Sequence, residues 1–171
     1  MPTIFSHIAV PIATSLGVGK QVSRRLLIFS AFCAMLPDID TVGFKLGIAY
    51  SSQWGHRGFT HSITFALLVA LIAACFNRPL KSRAWIVFLL SFTAVISHPL
   101  LDMLTNGGLG VALYWPYSNE RVFFDYRPIA VSPIGVTHFL GERGWRVIKS
   151  ELLWVWLPSL ILLLSLRGMR K

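Results

Sequence analysis

The sequence predicts an all-α integral membrane bundle of about five helices, and the observations that predict it are composition, hydropathy and charge placement. Hydrophobic residues make up 54% of the 171 residues and charged residues only 13%, whereas about a quarter of a soluble domain is charged. This length suits a single domain. The net charge of +9 comes from short basic groups between apolar segments, which indicates membrane-surface loops and argues against a nucleic-acid partner.

Five apolar stretches predict the helices in chain order. They cover roughly residues 4–19, 24–37, 60–76, 84–105 and 152–166. A helix needs about 20 residues to cross the hydrocarbon core, so the fourth stretch is long enough, while the first, second and fifth are marginal. Short helices can thin the bilayer or end against other protein. Some of the five therefore need not span fully.

The basic residues indicate the orientation of these helices. Two short connections and the C-terminal tail contain no acidic residue and nine basic ones: Lys20, Arg24, Arg25, Arg78, Lys81, Arg83, Arg167, Arg170 and Lys171. The positive-inside rule assigns such segments to the cytoplasm. It predicts an outer N-terminus, an inner C-terminus and five crossings, with the connections at about 38–59 and 106–151 outside. Aromatic residues and charges mixed in 106–151 suit an interfacial lid, and an inert aromatic belt fits them equally well.

Residues that can bind a metal converge on the predicted outer end of the bundle. The predicted metal ligands are His7, Asp40, His56, His61, His98 and Asp102, and Asp38 lies beside them. Ionisable groups at membrane depth are costly and usually functional. The positive-inside rule counts lysine and arginine and uses none of these residues. Their position at one end of the bundle is therefore independent of the rule that predicts the topology. Imidazole with carboxylate suits zinc, or manganese or iron where carboxylates dominate.

Local patterns favour such a site, although each has a simpler interpretation. His98 and Asp102 share one helix face about one turn apart, and Pro99 between them is expected to kink the helix. Thr60 is expected to cap the third helix, which puts His61 in its first turn. The alternatives are a single packing histidine, a hydrogen-bonded pair of His98 with Asp102, and a water-exposed helix end at the PDID sequence.

Two further groups of polar residues accompany this cluster. Arg57 and the start of the third helix can hold a phosphate, with Arg121 adding a contact from the long connection, or either arginine can pair with a surface acid. The predicted catalytic residues are Asp38 as general base, with Asp40 in that role if it is not a ligand, and Arg57 as a donor to phosphoryl oxygens. His138 and Glu142 repeat the four-residue spacing, and a second metal pair or a solvated face fits them.

The ordered set of motifs resembles a known family. The segments LPDID, GHRGFTHS, SHPLLD, YWPYSNER and SELLWVWLP, together with Ser-His near the N-terminus, are similar to those of the YdjM-like inner-membrane proteins, described as metal-dependent hydrolases, and to their YbcI type. The resemblance covers nearly the whole chain. It implies a bacterial inner-membrane location.

That family has been likened to the zinc-dependent bacterial phospholipases C. This likeness implies one to three metal ions, with zinc expected, and Asp102 able to bridge two of them. The ligand roles that it implies fall on His7, Asp40, His61, His98 and Asp102. His138 and Glu142 are the residues here that can stand in for the second histidine and glutamate cluster of the soluble enzymes.

Three functions fit these observations. The preferred one is a membrane-embedded, metal-dependent hydrolase of a lipid or lipid-linked phosphoester, phospholipase C-like or a lipid phosphatase. A non-catalytic metal carrier or sensor is the second, but a transporter needs polar residues across the bilayer, and segments such as LLVALIAACF have almost none. The third is a partner-binding subunit that docks through residues 106–151. Nothing in the sequence indicates the oligomeric state.

Overall fold

The computed structural model describes residues 1–132 and 141–170, and the regular secondary structure of these ranges is helical. The helices are α1 Ile4–His7, α2 Ala9–Val18, α3 Arg24–Cys33, α4 Val42–Lys45, α5 Ile63–Cys75, α6 Ala84–Met103, α7 Glu142–Glu151 and α8 Leu157–Gly168. The 3-10 turns Gly19–Gln21, Leu36–Thr41 and Phe59–His61 and the π-helical turn Leu152–Trp156 connect them. Extended pairing in the described ranges is limited to isolated bridges. The predicted all-α class is confirmed.

Among the described residues, three helical segments are long and apolar enough to cross a membrane. They are Arg24–Lys45, Ala84–Met103 and Glu142–Gly168, with 22, 20 and 27 residues. Helix α5 is apolar but has only 13 residues. The first predicted helix is divided at Ile8 into α1 and α2, and each part is shorter than the roughly 20 residues that a crossing needs. Five full crossings therefore remain a prediction.

Helix α7 begins at Glu142, whereas the apolar stretch 152–166 predicts a helix that starts near residue 152. This helix, the segment ERGWRVIKSE, is amphipathic and buries Gly144, Val147 and Glu151. A search for continuous apolar stretches misses such a helix, because only one face of it is apolar. Residues 142–151 of the connection predicted from the sequence are therefore helical.

Helix α6 packs against several others and organises the bundle. Helix α5 lies along it with Ala66, Ala70 and Ala73 fully or almost fully buried, and such small residues let membrane helices approach closely. Helix α3 also contacts α6, while α2 contacts α3 and α8. Gly17 of α2 meets α8 so closely that a β-carbon at this position would lie 2.7 Å from the Leu166 side chain.

The N-terminal cap of α5 differs from the prediction. Ser62 is the cap, and its Oγ accepts a hydrogen bond of 3.0 Å from the backbone amide of Phe65, which satisfies a donor that the first turn leaves free. The predicted cap at Thr60 is wrong, because that hydroxyl donates to a carboxylate instead. His61 accordingly lies in the 3-10 turn before α5.

The segments that carry the basic residues meet at one end of the bundle. Arg25, in the first turn of α3, donates to the carbonyl of Pro79 in the α5–α6 connection at 3.1 Å. Arg170 of the tail donates to the carbonyl of Gly17 at 2.9 Å. Helix α6 starts at this end and has 20 residues, so it extends about 30 Å away from it. The metal-capable residues of α6 lie near its other terminus.

Candidate metal centre

The helix α6 presents His98 and Asp102 one turn apart, both fully buried. The helix continues through Pro99, and the kink expected there stays a prediction. Nδ1 of His98 lies 2.7 Å from the carbonyl oxygen of Ala34. That carbonyl fixes the proton on Nδ1, so Nε2, which has no hydrogen-bond partner among the described residues, is left with its lone pair available for a metal.

Asp38 lies among three imidazoles. Its Oδ1 is 3.3 Å from Nε2 of His98, 3.9 Å from Nε2 of His61 and 3.9 Å from Nδ1 of His56. Within the described residues neither carboxylate oxygen of Asp38 has a hydrogen-bond partner. Leaving a buried carboxylate unpartnered is unfavourable, and a metal ion bound by it and its imidazole neighbours would satisfy it.

Asp40 has a different set of contacts. Its oxygens accept hydrogen bonds from Thr60 Oγ1 at 2.6 Å and from the backbone amide of Arg57 at 3.2 Å. They also lie 2.8 Å from Nδ1 of His56 and 3.2 Å from Nδ1 of His61. Asp40 therefore orients two imidazoles through their Nδ1 atoms, as carboxylates beside metal-binding histidines usually do. Nε2 of His61 is left unpartnered in the described chain.

His7 brings the N-terminal segment to the same place. Its ring stacks on that of His98, with centroids 3.6 Å apart and an angle of 10° between the planes. Nε2 of His7 is 3.8 Å from Oδ1 of Asp102, whose Oδ2 is 3.6 Å from Nε2 of His61. Both nitrogens of His7 and Oδ1 of Asp102 lack hydrogen-bond partners among the residues described.

Arg57 is fully buried, and its contacts are with the protein. Nε is 2.8 Å from Oδ2 of Asp102, in an ion pair. Nη1 donates to the carbonyls of Gly107 and Leu109, and Nη2 donates to Thr105 Oγ1. The φ of 64° is uncommon outside glycine, and this network holds it in place. The guanidinium fork is thus largely occupied by protein acceptors, where the sequence predicted a phosphate contact.

Arg121 is occupied in a similar way. It donates to four backbone carbonyls at 2.9–3.2 Å. Those carbonyls belong to Tyr50, Ser52, His56 and Gly110. Burial lowers the pKa of this guanidinium below its usual value. These bonds hold the long connection against the loop before α5. They occupy the Arg121 guanidinium, for which the sequence predicts a phosphate contact or a surface ion pair.

The candidate ligands form two adjoining groups. In each group the ligand atoms all lie within 4.8 Å of one another. One group is His7, His98 and Asp102, and the other is Asp38, His56 and His61. Asp40 supports the second group through its hydrogen bonds. His138 lies outside the described residues, and Glu142 at the start of α7 is exposed.

The centre is least enclosed on the side of Asp38 and His56. Their side chains are 10% and 7% exposed, whereas those of the other candidate ligands in the two groups are 0% exposed. The rings of Phe44 and Tyr50 lie 5.8 and 5.3 Å from the His56 ring. The most exposed candidate ligands therefore adjoin α4 and the loop that follows it.

Comparison with known proteins shows the family of the chain. The model of the YdjM inner membrane protein family matches residues 1–171. The inner membrane protein YbcI of Escherichia coli (strain K12) is 43% identical over 168 residues, which is 95% of each chain. No solved structure gives a significant match. Because both likenesses extend over nearly all of its length, the chain belongs to the YdjM inner membrane protein family.

Proposed function

We propose that the protein is a metal-dependent hydrolase of the inner membrane that acts on a phosphoester in a lipid or lipid-linked substrate. One observation carries the proposal: imidazole and carboxylate groups converge with their ligand atoms unpartnered among the described residues. Such atoms are Nε2 of His7, His61 and His98, both oxygens of Asp38 and Oδ1 of Asp102. Buried polar atoms are almost always satisfied in native proteins, and a nitrogen and oxygen donor set of this kind fits zinc.

The contacts favour Asp38 as the metal ligand in place of Asp40, which the sequence suggested. Asp38 is the proposed ligand, since its Oδ1 faces three imidazoles and has no other partner in the described region. Asp40 is the proposed orienting group, since both of its oxygens are used by neighbouring side chains and one backbone amide. His56 adjoins the centre at its exposed edge, where its Nδ1 lies 2.8 Å from Asp40 and 3.9 Å from Asp38.

The chemistry follows from these roles. A divalent metal at such a site lowers the pKa of a water toward about 7 and polarises a phosphoryl oxygen. Oδ1 of Asp38 faces the imidazoles, and its Oδ2 is the proposed acceptor for the proton of the attacking water. Asp40 keeps His61 in the tautomer whose Nε2 is free, and Arg57 holds Asp102 by the ion pair. We therefore assign Arg57 to the support of Asp102 and no longer to the phosphate.

The surroundings of the centre support a lipid substrate. The centre lies near one end of α6, a helix apolar enough to span the membrane. Large apolar and aromatic side chains are exposed on the loops around it: Phe44, Leu46, Trp54, Tyr114 and Tyr117. Tyrosine and tryptophan concentrate at membrane–water interfaces. A headgroup could reach Asp38 from this level while its acyl chains stay in the bilayer.

A structural metal site is the second candidate, and burial favours it. The side chains of His7, His61, His98 and Asp102 are all 0% exposed, and structural sites are closed, whereas catalytic sites keep a position for water or substrate. The partial exposure of Asp38 and His56 supports the catalytic alternative. Metal content alone does not separate the two candidates, so turnover has to be measured.

The test is phosphoester hydrolysis by the purified protein in lipid nanodiscs. Phosphatidate, phosphatidylglycerol and phosphatidylethanolamine would be offered, and release of inorganic phosphate or of a phosphorylated headgroup would be measured. We expect turnover that a chelator abolishes and added Zn²⁺ restores. His98→Ala should be inactive, while Glu120→Gln, at an exposed position, should match the wild type. Bound metal without turnover on any of these lipids would favour the structural site.

A further inference from the structure

The segment SELLWVWLP contains a buried carboxylate that the proposed metal centre does not use. Glu151, at the end of α7, is only 4% exposed. It accepts hydrogen bonds from the backbone amide of Thr3, from Thr3 Oγ1 at 2.7 Å and from Ser6 Oγ at 2.8 Å. Three donors facing it match an ionised, acceptor-only carboxylate. An acid inside a potential membrane span usually has a function.

The backbone beyond Glu151 reinforces the same contact. Residues Leu152–Trp156 form a π-helical turn, and such turns are rare and frequently lie at functional sites. The indole Nε1 of Trp156 donates to Ser6 Oγ at 3.2 Å. Glu151, directly before the turn, and Trp156, at its end, therefore both bond to the hydroxyl of Ser6. Ser6 is the residue directly before His7.

His7 depends on such support more than the other histidines of the centre. Nδ1 of His56 and of His61 faces Asp40, and Nδ1 of His98 faces a backbone carbonyl. Among the described residues, neither ring nitrogen of His7 has a hydrogen-bond partner. The stacking on His98 fixes the ring plane but not its distance from Asp102. The position of His7 is therefore set mainly by the backbone that carries it.

We propose that Glu151 is a positioning residue of the metal centre. By holding Thr3 and Ser6, it fixes the α1 segment so that His7 stacks on His98 and faces Asp102. This inference rests on the proposed metal centre, but it assigns a role to a residue that does not touch the ligand atoms. Loss of an outer-shell group typically weakens metal binding about 10- to 100-fold.

The first measurement is the Zn²⁺ affinity of Glu151→Gln, determined by competition between the purified full-length protein and a chromophoric chelator. Glutamine keeps the size but turns one acceptor into a donor that faces the donors of Thr3 and Ser6. We expect affinity about tenfold weaker than in the wild type. Glu120→Gln makes the same change at an exposed glutamate and should leave the affinity unchanged. Ser6→Ala removes one bond of the clamp without a charge change and should also weaken binding.

The second measurement separates positioning from general support of the fold. In a His7→Ala background, Glu151→Gln should lower the affinity by no more than about twofold, because its effect passes through His7. The visible absorption of bound Co²⁺ should change in Glu151→Gln in the same direction as in His7→Ala. Wild-type affinity in both Glu151→Gln and Ser6→Ala, or an equal loss in the two backgrounds, would overturn the inference alone. A wild-type protein that binds no Zn²⁺ would overturn the metal centre as well.

Discussion

Nε of Arg57 lies 2.8 Å from Oδ2 of Asp102, and both side chains are 0% exposed. This ion pair joins the loop before α5 to the terminus of α6, next to the candidate ligands. The other donors of Arg57 bind Thr105 and two carbonyls of the following turn. Arg57 thus connects the residues that follow α6 to the Asp102 carboxylate of the candidate centre.

Loss of Arg57 should destabilise the protein strongly. Arg57→Ala leaves the Asp102 carboxylate buried without its cation, and breaking a buried pair in this way typically costs about 3–5 kcal/mol. Thermal unfolding in detergent, followed by circular dichroism, should show a large fall in Tm. Arg78→Ala, at an exposed arginine, is the matched control and should change stability by less than about 0.5 kcal/mol. An Arg57→Ala protein as stable as this control would remove the structural role of the pair.

The two neighbouring aspartates should respond differently to the same substitution. Asp38→Asn removes a proposed ligand oxygen and should abolish stoichiometric Zn²⁺ binding. Asp40→Asn alters only the orientation of His56 and His61, and should weaken binding by about 10- to 100-fold. Competition with a chromophoric chelator measures both affinities. Abolished binding in Asp40→Asn with normal binding in Asp38→Asn would restore the assignment made from the sequence.

The membrane orientation predicted from charge is also open to test. The basic segments adjoin one another at one end of the bundle, and the candidate ligands of α6 lie near the other. We expect an outer centre and an inner C-terminus. Alkaline phosphatase, which is active only outside the cytoplasm, should be inactive when fused after residue 171 and active when fused within residues 116–120. A strongly active C-terminal fusion would reverse the orientation.

Close packing of α2 on α8 should make Gly17 sensitive to added volume. A β-carbon there would lie 2.7 Å from the Leu166 side chain, and such overpacking typically costs about 1–3 kcal/mol. Gly17→Ala should therefore lower the Tm in detergent. A β-carbon on Gly168 would meet no atom within 4 Å, so Gly168→Ala should not lower it. Equal Tm values for the two variants would argue against this helix contact.

The convergence of metal-capable residues at one end of the bundle could largely be predicted, because it depends on helix periodicity and membrane topology. The spacing of His98 and Asp102 defines one helix face, and the apolar stretches with the charge rule group these residues with Asp38 and His61. The structure brings these four together. It also confirms the helical class.

The finer roles depend on contacts that no local pattern reveals. Asp38 and Asp40 share one 3-10 turn, and only three-dimensional contacts show which of them faces the imidazoles and which supports them. The pairing of Arg57 with Asp102 joins residues far apart in sequence. The contact of Glu151 with Ser6 spans nearly the whole chain. Helix α7, which ends at Glu151, is amphipathic and lies outside the apolar stretches from which the helices were predicted. The position of Glu151 at a helix end could therefore not be expected.

Metal content is the most direct test of the proposed centre. The protein would be purified gently from membranes without chelators, and its divalent metals would be quantified by mass spectrometry against chain concentration. We expect at least one transition metal per chain, zinc first, which Asp38→Asn and Asp102→Ala lose and Glu120→Gln retains. Absence of stoichiometric metal from the wild type, or full retention by both ligand variants, would contradict the proposed centre.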